Sequence, residues 1–187
     1  NGEKYLIEDT VNKTVRTFKI YSDGTNIMLR GGVLESITDK YGNKLVFTLN
    51  ERAQPTKISV QPNGQAAIEF LTLSYNSLNA LYEIKNETSG QVITLYYNLA
   101  FNYDPSFIST TYAGPLCKVE YAHMSGSAKV VDALMEYSYS AGEDNVYRLS
   151  SAKDTLSNVS IVYTYDAGKI ASVQEYGGTN KGQKITY

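Results

Sequence analysis

One phrase recurs in degenerate form along this chain. A glycine-containing turn is followed by a short apolar strand ending in tyrosine plus Asn or Asp, then by an aliphatic residue seven or eight positions later. Its clearest copy is Val162-Tyr163-Thr164-Tyr165-Asp166-Ala167-Gly168-Lys169-Ile170-Ala171-Ser172-Val173, and a second is Ile37-Thr38-Asp39-Lys40-Tyr41-Gly42-Asn43-Lys44-Leu45-Val46-Phe47. Units repeated about twenty to twenty-six residues apart indicate stacked hairpins sharing one core, because a lone hairpin cannot cover its own apolar side.

The beat can be followed in two ways. An aliphatic pair of the type Leu-x-x-Ile stands at Leu34/Ile37, Pro55/Ile58, Leu81/Ile84, Leu149/Ala152 and Ile170/Val173, with an irregular stretch from Phe101 to Met124. Strand-ending dipeptides Leu49-Asn50, Tyr75-Asn76, Tyr97-Asn98, Tyr103-Asp104 and Tyr165-Asp166 mark the same rhythm. A short polar Asx after a strand can bond the backbone two residues on and so help the chain reverse. Turn signals punctuate the whole length: Asp23-Gly24, Gly42-Asn43, Asn63-Gly64, Ser89-Gly90, Ser125-Gly126, Ala141-Gly142 and Gly177-Gly178. Gly and Asn tolerate the positive φ of tight hairpins.

Between the turns lie period-two segments rich in Val, Ile, Thr, Tyr and Phe, such as Leu45 to Leu49 and Val159 to Tyr165, which predict strands with one strongly apolar face. Only Lys129 to Tyr139 admits a helical stripe, through Val130, Leu134 and Tyr137. Alternation of Val131, Ala133, Met135, Tyr137 and Tyr139 between glycine turns favours a strand there. Residues 1–31 read as a lead-in hairpin, with Tyr5-Leu6-Ile7 and Val15 to Tyr21 flanking Asn12-Lys13. Residues 32–187 read as an array of degenerate repeats continuous with it, since no Pro/Ser linker divides the chain.

Tyrosine is the compositional outlier, at 17 residues against 5 Phe and no Trp. A Tyr ring packs on a half-buried sheet face while its hydroxyl reaches a polar partner, so most of these residues are expected to be structural. A second reading is a carbohydrate- or small-ligand-binding module that stacks its ligand on exposed rings. A net charge of −2 with scattered Lys and Arg gives no footprint for nucleic acid and no polybasic membrane patch. No apolar run is long enough for membrane insertion as a helix. The single cysteine, Cys117, excludes an internal disulfide, and beside Leu116 and Val119 it is expected to be a small buried apolar residue.

These residues resemble the RHS/YD-repeat family, whose units run G-x-L-x-x-I-x-D-x-x-G-N followed by an aromatic strand ending Y-D. The resemblance rests on Val33 to Phe47 and on Tyr163 to Val173, and Lys184-Ile185-Thr186-Tyr187 looks like the strand of a next repeat. It implies a large bacterial surface or secreted protein whose hairpins coil into a long β-sheet, closing into a hollow shell around a C-terminal effector that is often a toxin. On its own this segment has too few strands to enclose a volume, so the expected fold is all-β, an extended, twisted and curved antiparallel sheet of stacked hairpins that belongs to a larger shell.

No residue set amounts to an active site. His123 is the only histidine and reads as an ordinary surface or turn residue. Single Asp residues could meet across strands in imitation of a glycosidase pair, but nothing in their spacing predicts it. Glu143-Asp144-Asn145 lacks a calcium-loop pattern, and Gly177 to Gly182 lacks the ending of a phosphate loop. The expectation is a non-enzymatic scaffold without metal or cofactor. Its key residues are the packing positions Ile37, Ile58, Ile84, Tyr163, Tyr165 and Val173, and its partners are neighbouring repeats of the parent protein. Exposed sheet edges also predict self-association.

Overall fold

The computed structural model describes residues 4–20, 32–98, 114–142 and 146–187. Strands dominate, and among the described residues there is no helix. Fourteen strands follow: β1 (Lys4–Asp9), β2 (Thr14–Ile20), β3 (Gly32–Thr38), β4 (Lys44–Leu49), β5 (Pro55–Gln61), β6 (Ile68–Tyr75) and β7 (Leu81–Asn86), then β8 (Gln91–Tyr97), β9 (Leu116–Ser125), β10 (Ala128–Ala141), β11 (Tyr147–Asp154), β12 (Val159–Asp166), β13 (Lys169–Gly177) and β14 (Asn180–Thr186). Their order in the sheet is their order in the chain. This is the expected all-β antiparallel sheet of consecutive hairpins. β1 and β2 form a hairpin around Asn12-Lys13, and the ambiguous stretch after Lys129 is strand β10.

Two compact units share the strands, Asn1–Ser74 with Ile84–Gly90 and Tyr75–Glu83 with Gln91–Tyr187. In the first unit, one face carries the paired row Ile37–Leu45–Val60–Ile68 and, beside it, Phe47–Ile58–Leu71. The opposite face carries Ser36–Val46–Ser59–Glu69 and Thr48–Lys57–Thr72. The second unit divides less cleanly: Val92 and Ala122 pair on the face opposite Leu95 and Val119, together with Thr94 and Glu120. Leu95–Val119–Met135 and Tyr163–Val173–Ile185 lie on the apolar face, while Thr164–Ser172–Thr186 lies on the polar one. Period two in the sequence thus becomes two chemically different faces.

Each face is covered mainly by neighbours on the same face, so burial is partial. Among the described residues no large side chain is fully buried. The least exposed are Ala122 (3%), Val92, Val119 and Ser172 (5%) and Thr94 (8%). Four of these five sit where β8, β9 and β10 run side by side. There Lys129 Nζ bridges Glu120 Oε1 at 2.6 Å and Thr94 Oγ1 at 2.9 Å, giving the buried hydroxyl a partner.

Candidate functional site

The repeated elements of this chain are its turns and its tyrosines, and the structure assigns each a job. Three hairpins reverse through the same five-residue loop, opened by Asp39, Asn50 and Asn76. In each, the Asx side-chain Oδ1 accepts from the backbone N–H two and four residues on: Tyr41 and Asn43, Arg52 and Gln54, Leu78 and Ala80. The residue three positions after the Asx takes positive φ, at Gly42 (86°), Ala53 (62°) and Asn79 (60°). A second loop type, one residue shorter, is opened by Asp9, Asn86 and Asp154. Oδ1 there accepts from residues two and three on, and positive φ falls at Lys13, Gly90 and Asn158. Both are Asx-directed reversals in which a side chain stands in for a backbone carbonyl. The donors hold Asp39, Asp9 and Asp154 below the usual carboxylate range: the amide of Asn43 for Asp39, the backbone N–H of Asn12 for Asp9, and the hydroxyl of Ser157 for Asp154.

Three tyrosines near strand ends tie their strands to the preceding ones. Tyr97 Oη donates to the Leu81 carbonyl at 2.8 Å, Tyr165 Oη to the Leu149 carbonyl at 2.8 Å, and Tyr139 Oη to the Leu116 carbonyl at 2.8 Å. Leu81 and Leu149 are the leading residues of the Leu-x-x-Ile phrase. Tyr and Leu are therefore one interaction seen twice in the sequence. Burial pushes the phenols of Tyr97 and Tyr139 above the usual range.

The six expected packing positions are all half-buried. Tyr163 and Val173 are direct cross-strand partners, whereas Ile37 and Ile58 lie in adjacent rows of the apolar face. Tyr165 opposes Ile170 and has the Arg148 guanidinium 5.9 Å from its ring centre. Ile84 lies within β7. Cys117 is half-buried rather than buried, and its Sγ reaches the Tyr96 carbonyl at 3.3 Å, because β9 turns it towards the β8 backbone. Turn signals at Gly42-Asn43, Asn63-Gly64, Ser89-Gly90, Ser125-Gly126 and Gly177-Gly178 fall between paired strands. Asp23-Gly24, Tyr103-Asp104 and Glu143-Asp144-Asn145 lie outside the described residues.

The chemistry on offer is sparse. Glu69 and Glu87 do approach one another, with the Thr72 hydroxyl 3.0 Å from Glu69 Oε1 and 2.8 Å from Glu87 Oε1. Lys57 hydrogen-bonds Glu69 at 2.8 Å and Lys85 hydrogen-bonds Glu87 at 2.7 Å, holding both carboxyls below their usual range. A lysine on each carboxylate favours its charged form. His123 lies in β9 with Nδ1 at 2.9 and 2.8 Å from the two Asp132 carboxylate oxygens, beside a bulge in β10, and hydrogen-bonds no Ser, Thr or Cys among the described residues. No group of three or more His, Cys, Asp or Glu able to hold a metal occurs among the described residues.

Two exposed tyrosines on adjacent strands, Tyr96 and Tyr121, do not share a face. Tyr96 pairs with Lys118 and Tyr121 with Ile93, which sets these two on opposite faces. Lys118 Nζ sits 4.1 Å from the Tyr96 ring centre and Lys40 Nζ 4.9 Å from that of Tyr41, so ammonium groups already occupy those ring faces. An open cleft of about 540 Å³ on the first unit is bordered by Lys4, Lys19, Lys44, Thr17 and Gln61, and one of about 560 Å³ on the second by Arg148, Tyr163, Tyr165 and Asp166.

No family model and no curated protein matches this chain. Solved structures do. The Photorhabdus luminescens Tc holotoxin pore aligns over 86% of this chain with a TM-score of 0.56 at 16% identity. The chain spans 7% of the length of that protein. The TcdB2–TccC3–Cdc42 complex aligns over 92% of this chain and 10% of its own, with 16% identity and a TM-score of 0.42. A porin-like protein of Bacteroides uniformis aligns over 98% of this chain and 91% of its own, with 15% identity and a TM-score of 0.41. The likeness to the holotoxin pore is one of fold.

Proposed function

We propose that this chain is a non-enzymatic scaffold segment of a bacterial cell-surface or secreted repeat protein, whose stacked hairpins help to enclose or present another domain. The observation that carries the reading is the recurring tyrosine-to-leucine tie between successive strands. It recruits side chains for joining one hairpin strand to the next, not for gripping a ligand. Support also comes from two independent directions. The repeat phrases resemble the RHS/YD family, for which a shell around an effector is implied, and a structure of the same fold belongs to a toxin complex. On this reading the lead-in and the repeats form one array, the six packing positions act as its shared core, and its partners are adjoining repeats of the parent.

Protease protection of the full-length protein tests this. Excising the segment should expose the neighbouring domain to digestion or abolish its export. An excision that leaves the protection and export of that domain unchanged would contradict a scaffold role.

A further inference from the structure

We infer that Asn63 is a site of spontaneous deamidation and isoaspartate formation, built into the turn that joins β5 to β6. The asparagines that open or close the neighbouring loops have their side chains engaged. Asn43 Nδ2 donates to Asp39 Oδ2 at 2.8 Å, Asn50 Nδ2 donates to Gln54 Oε1 at 3.1 Å, and Asn76 and Asn86 accept from backbone N–H groups through Oδ1. Asn63 differs on every count. It is exposed, its side-chain amide makes no hydrogen bond among the described residues, and it is the one described asparagine followed by glycine.

The geometry around it favours attack. The residue is pinned through its backbone, whose N–H donates to Asn43 Oδ1 at 3.1 Å, and the reversal is closed by Gln65 N–H on the Pro62 carbonyl at 3.0 Å. Gly64 has φ of 71°, has no heavy atom within 4 Å of where a Cβ would stand, and its N–H is not engaged among the described residues. An unhindered amide nitrogen thus follows a side-chain carboxamide that packs beside Gly42 and makes no hydrogen bond among the described residues.

The Gly64 nitrogen attacks Asn63 Cγ, a new N–Cγ bond forms, and the Cγ–Nδ2 bond breaks. Nδ2 departs as ammonia, taking the proton lost by the attacking nitrogen, and a five-membered imide remains. Water then adds to either imide carbonyl. Opening at Cγ leaves an aspartate, and opening at the backbone carbonyl leaves an isoaspartate with one extra methylene in the main chain. The net reaction consumes one water and releases one ammonia. Either product adds a negative charge next to the Asp39–Asn43 loop, and the isoaspartate also lengthens the connection between β5 and β6.

Peptide mapping after incubation at mildly alkaline pH, with isoaspartyl methyltransferase labelling, tests the assignment. The peptide spanning Asn63-Gly64 should gain the amide-to-acid mass difference and the label well ahead of the peptide spanning Asn180-Lys181. Gly64→Ala should slow this by roughly an order of magnitude, because a Cβ hinders the attacking nitrogen and disfavours positive φ. Asn63→Gln should remove the label from the peptide spanning residue 63 while leaving the circular dichroism spectrum unchanged. Conversion at Asn63 no faster than at Asn180, or a label that persists on the residue-63 peptide of Asn63→Gln, would overturn the inference.

Discussion

Tyr97 and Leu81 stand 16 residues apart in the chain and are joined by a 2.8 Å hydrogen bond from the phenol of β8 to the first carbonyl of β7. Tyr165 and Leu149 repeat it with the same separation and the same distance. Tyr187 keeps the rhythm in another form, its backbone N–H donating to the Ala171 carbonyl at 2.9 Å, and it follows Tyr165 by the same offset at which Ala171 follows Leu149. A tyrosine is well suited to this task, since its ring packs along the sheet and its hydroxyl reaches one strand further.

Removing the phenol while keeping the ring isolates the bond. Tyr97→Phe and Tyr165→Phe should each destabilise the fold by about 1 kcal/mol, the ordinary net worth of one intramolecular hydrogen bond. The urea midpoint should fall with an unchanged slope. Tyr41→Phe is the control, because Tyr41 is 67% exposed and its hydroxyl has no such role. Equal midpoints for Tyr97→Phe and wild type would remove the tie from the account.

Positive φ at a residue with a side chain marks stored strain. Ala53 takes the position that Gly42 and Asn79 occupy in the sister loops, at φ of 62°. Ala53→Gly should stabilise the protein by about 1 kcal/mol, reversing the usual cost of glycine. Gly42→Ala should do the opposite, since its Cβ would come within 2.8 Å of Asn63 Cγ as well as being strained. Thermal melts of the two variants shifting in the same direction would contradict the shared loop geometry.

The loop-opening carboxylates predict an acid limb. Asp9, Asp39 and Asp154 have folded values below their unfolded ones, so their contribution is present above the unfolded value of about 4 and is lost as pH falls through the folded value. Asn at all three positions keeps an acceptor oxygen, and the triple substitution should flatten the loss of stability at low pH. Identical acid titrations of variant and wild type, followed by circular dichroism, would show that these loops do not set the limb.

Alkali acts on the tyrosines with the opposite sign. The folded values of Tyr75, Tyr97 and Tyr139 are raised by burial, so their stabilisation is complete below the unfolded value of about 10 and is lost as pH rises through the folded one. A late fraction of tyrosinate absorbance should appear together with the loss of strand signal. All tyrosines ionising before any unfolding would count against burial of these rings.

Much of the fold was legible because it rests on local chemistry. Alternation in Leu45 to Leu49 and Val159 to Tyr165 became strands, and Gly42, Gly64, Gly90, Gly126 and Gly178 all take positive φ at their turns. Positive φ at Ala53, Asn79 and Asn158 escaped a glycine-based reading, because there the Asx side chain fixes the loop and forces a less suited residue into place. The alternation of strands into two faces was readable, and Ile37, Ile58, Tyr163 and Val173 lie in paired apolar rows. The deepest burial was not, because Val92, Val119 and Ala122 owe it to β8, β9 and β10 lying side by side, with a bulge between Val131 and Ala133. The pairings of His123 with Asp132 and of Glu69 with Glu87 around Thr72 likewise depend on register, which no spacing along the chain reveals.

The central claim is that each hairpin shields its apolar side against the next in chain order. Cross-strand proton contacts measured by NMR test it most directly. Tyr163 should contact Val173, Val173 should contact Ile185, and Ile37 should contact Leu45, all with the signature of antiparallel neighbours. Contacts linking strands out of chain order, or a parallel pattern between any of these pairs, would contradict it.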